Sequence, residues 1–162
     1  MPHLQRLTPG HAPALLTFEQ DNRAYFAASI PDRGDDYFTD FTARHRALLD
    51  EQDQGLCHFH VLTDDSGTVL GRVNLVDVDG TSAELGYRIA QKAAGQGLAT
   101  AAVREICALA VTRYGLTTLR AVTTTDNIAS QTVLTRTGFI TTGPTLAGGR
   151  PGHAYTLDLT RL

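Results

Sequence analysis

Three short segments between residues 57 and 90 constrain this chain more than anything else in it. CHFHVLT (57–63), VLGRVNLVDV (69–78) and SAELGYRIA (82–90) alternate or run apolar with the period of a strand. They are separated only by DDSG (64–67) and by Asp79-Gly80, both turn sequences. A parallel pair needs a crossover of about a dozen residues or more, and neither connection has room for one. The three strands therefore form an antiparallel meander, and the rest of the chain has to cover it.

The flanking segments supply that cover. Thr8-Pro9 offers a capping hydroxyl and a proline at the first helical position, and Leu15, Leu16, Phe18 and Glu19 carry the helix to about Asn22. AYFAASIPDRGDD (24–36) reads as irregular, broken by Pro31 and Gly34. A second helix is predicted over 36–52, with Phe38, Phe41, Leu48 and Leu49 on one face. After the meander, Leu98, Ala102, Ile106 and Leu109 recur at helical spacing over 97–114, and Gly115 ends that helix. TLRAVTTT (118–125) is a β-branched strand, and Asp126-Asn127 cap a short helix reaching Gly138. Phe139 to Thr142 and HAYTLDL (153–159) are the last strands, with GPTLAGGRPG (143–152) as the loop between them. The fold class is α/β (α+β): one domain over 1–162, with a mixed, mostly antiparallel twisted sheet flanked by helices.

Charge and composition remove several functions. The net charge of −3 comes with no basic tract, so a nucleic-acid partner is not expected. No apolar run approaches the roughly 20 residues of a membrane span and no signal peptide opens the chain, so no membrane partner is expected either. Cys57 and Cys107 read as two core thiols in a reducing compartment, which points to a cytoplasmic protein. His58 and His60 share one face of a strand, as metal ligands do. Spacing offers no third ligand, so they read as cleft-flanking or surface side chains, and no metal is expected.

The chemistry concentrates in GYRIAQKAAGQGLATAAV (86–103), where a strand passes through Gly95 and Gly97 into a helix with a small first turn. Two glycines stand where Ser, Thr, Asp or Asn usually caps a helix. Either they only ease the corner, or they bare the first amides of the helix, which lack internal partners and sit at the positive end of its dipole. Glycine removes the β-carbons that would hold a phosphate off those amides, and Thr100 adds a hydroxyl. GQGLAT falls one glycine short of the dinucleotide fingerprint. It follows a meander rather than opening a βαβ unit, and Arg120 or Val122 stands where an acidic residue belongs.

ELGYRIAQKAAGQGLATAAV together with TTTDNIASQTVLTRTGF resembles the GNAT superfamily of acetyl-coenzyme A-dependent N-acetyltransferases, and within it the RimJ/RimL-like group that acetylates ribosomal-protein N-termini. The likeness is strong from Glu84 to Phe139, roughly a third of the chain, and fades over the first fifty or so residues. It implies that Gly95, Gln96, Gly97, Leu98, Ala99 and Thr100 hold the diphosphate of acetyl-CoA, and that Tyr87 and Ile89 pair by main chain with its pantetheine arm. Ala94 departs from the Gln or Arg that opens the family motif. Asn127 and Ser130 match the group's Asn-x-x-Ser helix start, with polar side chains aimed into the cleft. Leu134 stands where many members carry a general-acid tyrosine, which leaves Ser130 to stand in.

The implied reaction is direct attack of an amine on the thioester through a tetrahedral intermediate. An α-amine, with a pKa of about 8, needs little base help. Glu84, on the strand face shared with Gly86 and Arg88, is the candidate proton acceptor, directly or through water. The acceptor is a protein N-terminus or a small-molecule amine, and the resemblance also implies a homodimer. The four aspartates of DRGDDYFTD (32–40) suit a helix start, and they could also draw a cationic amine to the cleft. The alternative is a GNAT scaffold that binds an acyl-CoA as a sensor or protein partner without turnover.

Overall fold

A computed structural model describes residues 2–162. Seven strands form one sheet: β1 (His3–Arg6), β2 (His58–Thr63), β3 (Val69–Asp79), β4 (Ser82–Ile89), β5 (Thr118–Thr124), β6 (Ile140–Ala147) and β7 (Arg150–Asp158). Their order is β1-β2-β3-β4-β5-β7-β6. Every pairing is antiparallel except β4 with β5. The meander is therefore present as expected.

The helices are α1 (Ala12–Asp21), α2 (Arg23–Ala27), α3 (Asp35–Thr39), α4 (Phe41–Asp53), α5 (Leu98–Thr112) and α6 (Ile128–Arg136). Alternation along the strands sends two sets of apolar side chains in opposite directions. Leu75, Ala83, Leu85 and Leu119 meet Val103 and Ile106 of α5 and Leu134 of α6. Phe59 and Val61 meet Leu15 and Phe18 of α1 and Phe41 of α4. Each fully buried Leu, Ile or Val contributes about 1.5–3 kcal/mol, so the helices are held by these faces more than by intrinsic propensity.

The structure departs from the sequence reading at four places. His3–Arg6 is an edge strand that its polar pattern does not announce; the backbone of β2 makes it one. Part of the stretch read as irregular is helical, as α2. The helix expected over 36–52 breaks at Asp40 into α3 and α4. The expected loop 143–152 is almost all strand. β6 and β7 pair from Ile140↔Thr156 to Ala147↔Arg150, and only Gly148-Gly149 turns, with φ of 57° and 81°. Two consecutive positive φ values make a tight hairpin turn that matches strand twist. Pro144 is tolerated because β6 is the outermost strand.

One register detail positions everything that follows. β4 and β5 pair only at Ser82↔Thr118, Ala83↔Leu119 and Glu84↔Arg120. Beyond that, β4 stays with β3 as far as Gly71↔Ile89, while β5 stays with β7 as far as Thr124↔Gly152. The sheet splits into a fork, and from Leu85 onward β4 has no strand on that side.

Candidate active site

A cavity of about 440 Å³ fills the fork. Its first wall is the glycine corner: Gly95, Gly97 and the start of α5 at Leu98, Ala99 and Thr100. Gly95 and Gly97 have φ of 75° and 76°, and a Cβ added at either would meet no protein atom within 4 Å. The glycines are thus required by their left-handed backbone and not by internal crowding. The space a side chain would take is left open. Gly97 is the N-cap of α5 and provides no side-chain cap, and the first intrahelical bond there is donated by Ala101 N to Gly97 O at 3.1 Å. The amides of Leu98, Ala99 and Thr100 precede that bond and have no acceptor among the described residues, and all three residues line the cavity. Gln96 is the exception in the loop: its side chain turns back to donate to Lys92 O at 3.4 Å, and it does not line the cavity.

The second wall is α6, with Asn127, Ala129, Ser130, Val133 and Arg136. Asn127 caps the helix, its Oδ1 accepting from Ser130 N at 3.1 Å, so that carbonyl is engaged locally instead of reaching into the cleft. The Ser130 hydroxyl does reach across the fork and shares a 2.9 Å hydrogen bond with the Tyr87 hydroxyl. Burial pushes the Tyr87 phenol above its ordinary value, with Ser130 opposing, so it is held protonated. Leu134, where the family tyrosine would stand, is buried in the core at 1% exposure. A phenol does stand in the cavity, but on β4, at Tyr87. Strand alternation could have revealed it, since Tyr87 points the same way as Leu85 and Ile89, toward α6. Arg136 was also missed. It lines the cavity on the α5 side of α6, where Arg104 of α5 donates to its carbonyl at 3.4 Å.

The far end of the cavity is formed by Tyr25, Phe26, Ser29 and Ile30 of α2 and the segment after it, with Arg88 of β4. The β6–β7 hairpin helps close this end: Arg150 Nη1 donates to Ser29 O at 3.3 Å, and Gly148 packs on Pro31. Beneath Arg88 lies a charge cluster that the sequence did not suggest. Glu19 of α1, 2% exposed, accepts from Arg72 Nη1 at 2.8 Å, Arg88 Nη1 at 3.0 Å and Arg33 Nε at 3.3 Å. Burial pushes the Glu19 carboxyl up, but the three guanidinium groups together outweigh that and hold it below the usual range.

Other expectations fall away from the site. Glu84 forms the last β4–β5 pair at the base of the fork, on the sheet face of Arg88 and opposite Tyr87; it does not line the cavity. Asp32 and Asp35 are both engaged by Arg23, at 2.8 Å each, and none of the four aspartates of 32–40 lines the cavity. Neither His58 nor His60 lines the cavity; His58 is half-buried and His60 lies in the interior. His60 is buried and bonded through Nε2 to the Tyr114 hydroxyl at 2.8 Å, and His58 stacks on the Tyr114 ring at 3.7 Å. Burial, with help from neighbouring His58, pushes His60 down to about 4. Among the described residues no group of three or more His, Cys, Asp or Glu could hold a metal ion. Cys57 and Cys107 are free and buried, and burial pushes the Cys107 thiol up to about 11, far from a nucleophile's range. No helix among the described residues is long and apolar enough to cross a membrane.

The donor set fits coenzyme A: a left-handed glycine cradle with bare helix amides and Arg136 for phosphates, then a strand edge from Leu85 to Ile89 for an amide-bearing arm. Comparison with known proteins agrees. The family model described as an acetyltransferase (GNAT) domain matches residues 3–140. No curated relative matches the chain in sequence. Among solved structures, the ribosomal-protein-S5-alanine acetyltransferase of Vibrio fischeri is similar, with a TM-score of 0.90 at 18% identity, covering 97% of this chain and 92% of that one. RimJ of Mycobacterium smegmatis, solved with a CoA-disulfide, gives 0.88 at 22% identity over 99% and 83%. A chimera of spermidine N-acetyltransferase SpeG from Vibrio cholerae and hSSAT gives 0.82 at 15% identity over 99% and 96%. At these identities the structural likeness establishes the fold alone.

Proposed function

The chain belongs to the GNAT acetyltransferase family and is an acetyl-CoA-dependent enzyme, and from that premise we propose how its own residues divide the work and what it acetylates. The acceptor is a primary amine, either the α-amine of a protein or peptide or that of a small molecule. Proteins of both kinds of acceptor stand among its structural neighbours. Acetyl-CoA, when bound, supplies an activated acetyl thioester.

The amides of Leu98, Ala99 and Thr100, with Gly95, Gly97 and Arg136, hold the diphosphate end. The fork-facing edge of β4 through Tyr87 and Ile89 orients the arm, and Asn127 fixes the start of α6 so that Ser130 faces β4. Tyr87, hydrogen-bonded to Ser130 across the fork, gives its phenolic proton to the departing thiolate, takes one back from the Ser130 hydroxyl, and Ser130 recovers one from solvent. Glu84 stands outside the cavity, at the base of the fork on the face carrying Arg88, so it takes the amine's proton only through intervening water and never by direct contact. An α-amine, with a pKa of about 8, requires only that much assistance.

The observation carrying this reading is the Tyr87–Ser130 hydrogen bond bridging the fork in the same cavity as the open glycine corner. The test is calorimetric titration with coenzyme A, followed by thiol release from acetyl-CoA on offering a panel of amines. Association and release are expected. No heat with coenzyme A, or its diphosphate located away from residues 95–100 in a complex, would overturn the reading.

A further inference from the structure

The charge of the acceptor end is opposite to what the aspartate-rich segment suggests. Arg88 and Arg136 are charged residues of the cavity lining, and no Asp or Glu is among those that line it. Arg136 belongs to the cofactor end, so Arg88 is the charged lining residue where an acceptor enters, with Glu84 on the same strand face but outside the lining. Behind it, Arg33, Arg72 and Arg88 surround the single carboxylate of Glu19. Three guanidinium groups against one carboxylate leave an excess of two positive charges, reduced to one by the adjoining Arg23–Asp32–Asp35 group, in which two carboxylates share one guanidinium.

Arg88 is oriented but not saturated. Nη1 donates to Glu19, the guanidinium lies over the Phe26 ring at 4.7 Å, and Nε and Nη2 have no protein acceptor among the described residues. Those nitrogens are not sealed in the interior, because Arg88 borders the cavity. Burial and the neighbouring Arg33 both make its charge costly, so an incoming anion relieves a repulsion already built into the site. A planar fork with free donors, fixed by a buried carboxylate and an aromatic face, suits a carboxylate. The same field repels a polycation.

On the acetyl-transfer reading, we propose that the acceptor amine carries a carboxylate on its own molecule, which Arg88 binds while the amine faces the fork. Two sources share that chemistry: a free amino acid, and a peptide with an acidic side chain close to its N-terminus. A polyamine is the wrong charge.

The experiment uses the full chain, acetyl-CoA and matched acceptors, with rates compared per unprotonated amine. The pairs are alanine against alaninamide and Ala-Glu-Ala against Ala-Gln-Ala, with spermidine as the cationic comparator. In at least one pair the acid-bearing member is expected to show about tenfold higher kcat/KM or more, chiefly through KM. That advantage shrinks as salt is raised and disappears in R88Q while R88K retains part of it. Which pair responds tells the amino acid from the peptide. Equal rates within both pairs, or spermidine as the best acceptor, would overturn this inference and leave acetyl transfer standing. If R88Q does not fold, the wild-type pairs decide alone. No thiol release with any amine would overturn the acetyl-transfer reading, and this inference with it.

Discussion

Gly97 and Gly115 stand at opposite ends of α5 and allow the cradle to be separated from the corner. Both have a left-handed backbone, with φ of 76° and 63°, and at neither would an added Cβ meet a protein atom within 4 Å. Gly97 lines the cavity; Gly115 does not. Substituting alanine places an L-residue in the left-handed region at a cost of about 1–2 kcal/mol, reduced by about 0.4–1 kcal/mol because the unfolded chain loses freedom. A net loss near 1 kcal/mol lowers Tm by about 2–4 °C for a domain of this size, and G97A and G115A should match in thermal melts. Their coenzyme A affinities should not match. At Gly97 the methyl group enters the cradle and displaces at least one charge-assisted hydrogen bond, worth about 1.5–3 kcal/mol, so Kd by calorimetry rises about 10- to 100-fold. At Gly115 it stays the same. Equal Kd values for the two variants would refute the argument, because the glycine pair would then be only a device for turning the chain.

The other expectations follow from single contacts. Y87F and S130A should each lower kcat by about 10²-fold with coenzyme A affinity intact, and the double variant should be little worse than the worse single one, since both remove one shared bond; additive losses in steady-state assays would separate their roles. E84Q should lower the rate more at acidic than at alkaline pH, where the amine is already neutral, and an unchanged pH–rate profile removes Glu84 from the mechanism. E19Q should cost about 3–5 kcal/mol in urea unfolding, because it strands Arg72 at 5% side-chain exposure. The wild-type Glu19 carboxyl is held low, so its stabilisation is full above the unfolded carboxylate value and is lost as pH falls through the folded one. The E19Q midpoint should therefore be flatter than that of the wild type in that acidic window, and parallel curves would deny the cluster its role.

Much of the cofactor end was legible because it is local. A strand, two left-handed glycines and a helix start are consecutive in sequence, so residues 86–103 carry their own geometry. The acceptor end was not legible. Glu19 lies 53 and 69 positions from the arginines of β3 and β4 that it binds. In sequence Arg88 is only a face-mate of Glu84, and the aspartates of 32–40 suggest a mouth that attracts cations. The hairpin 140–158 was obscured by its own glycines and prolines, which signal a loop unless the strand is known to be an edge.

What the sequence determined by itself was the meander, the helix after it and the bare amides between, since short turns and periodicity act over a few neighbouring residues. Only the tertiary structure decided where β4 leaves β5, that Tyr87 meets Ser130 across that gap, and that the far end is positive. Those depend on pairing register and on side chains brought together from distant segments. A charge or a hydroxyl acquires its role from what packs against it, and packing at that range is not written in adjacent residues.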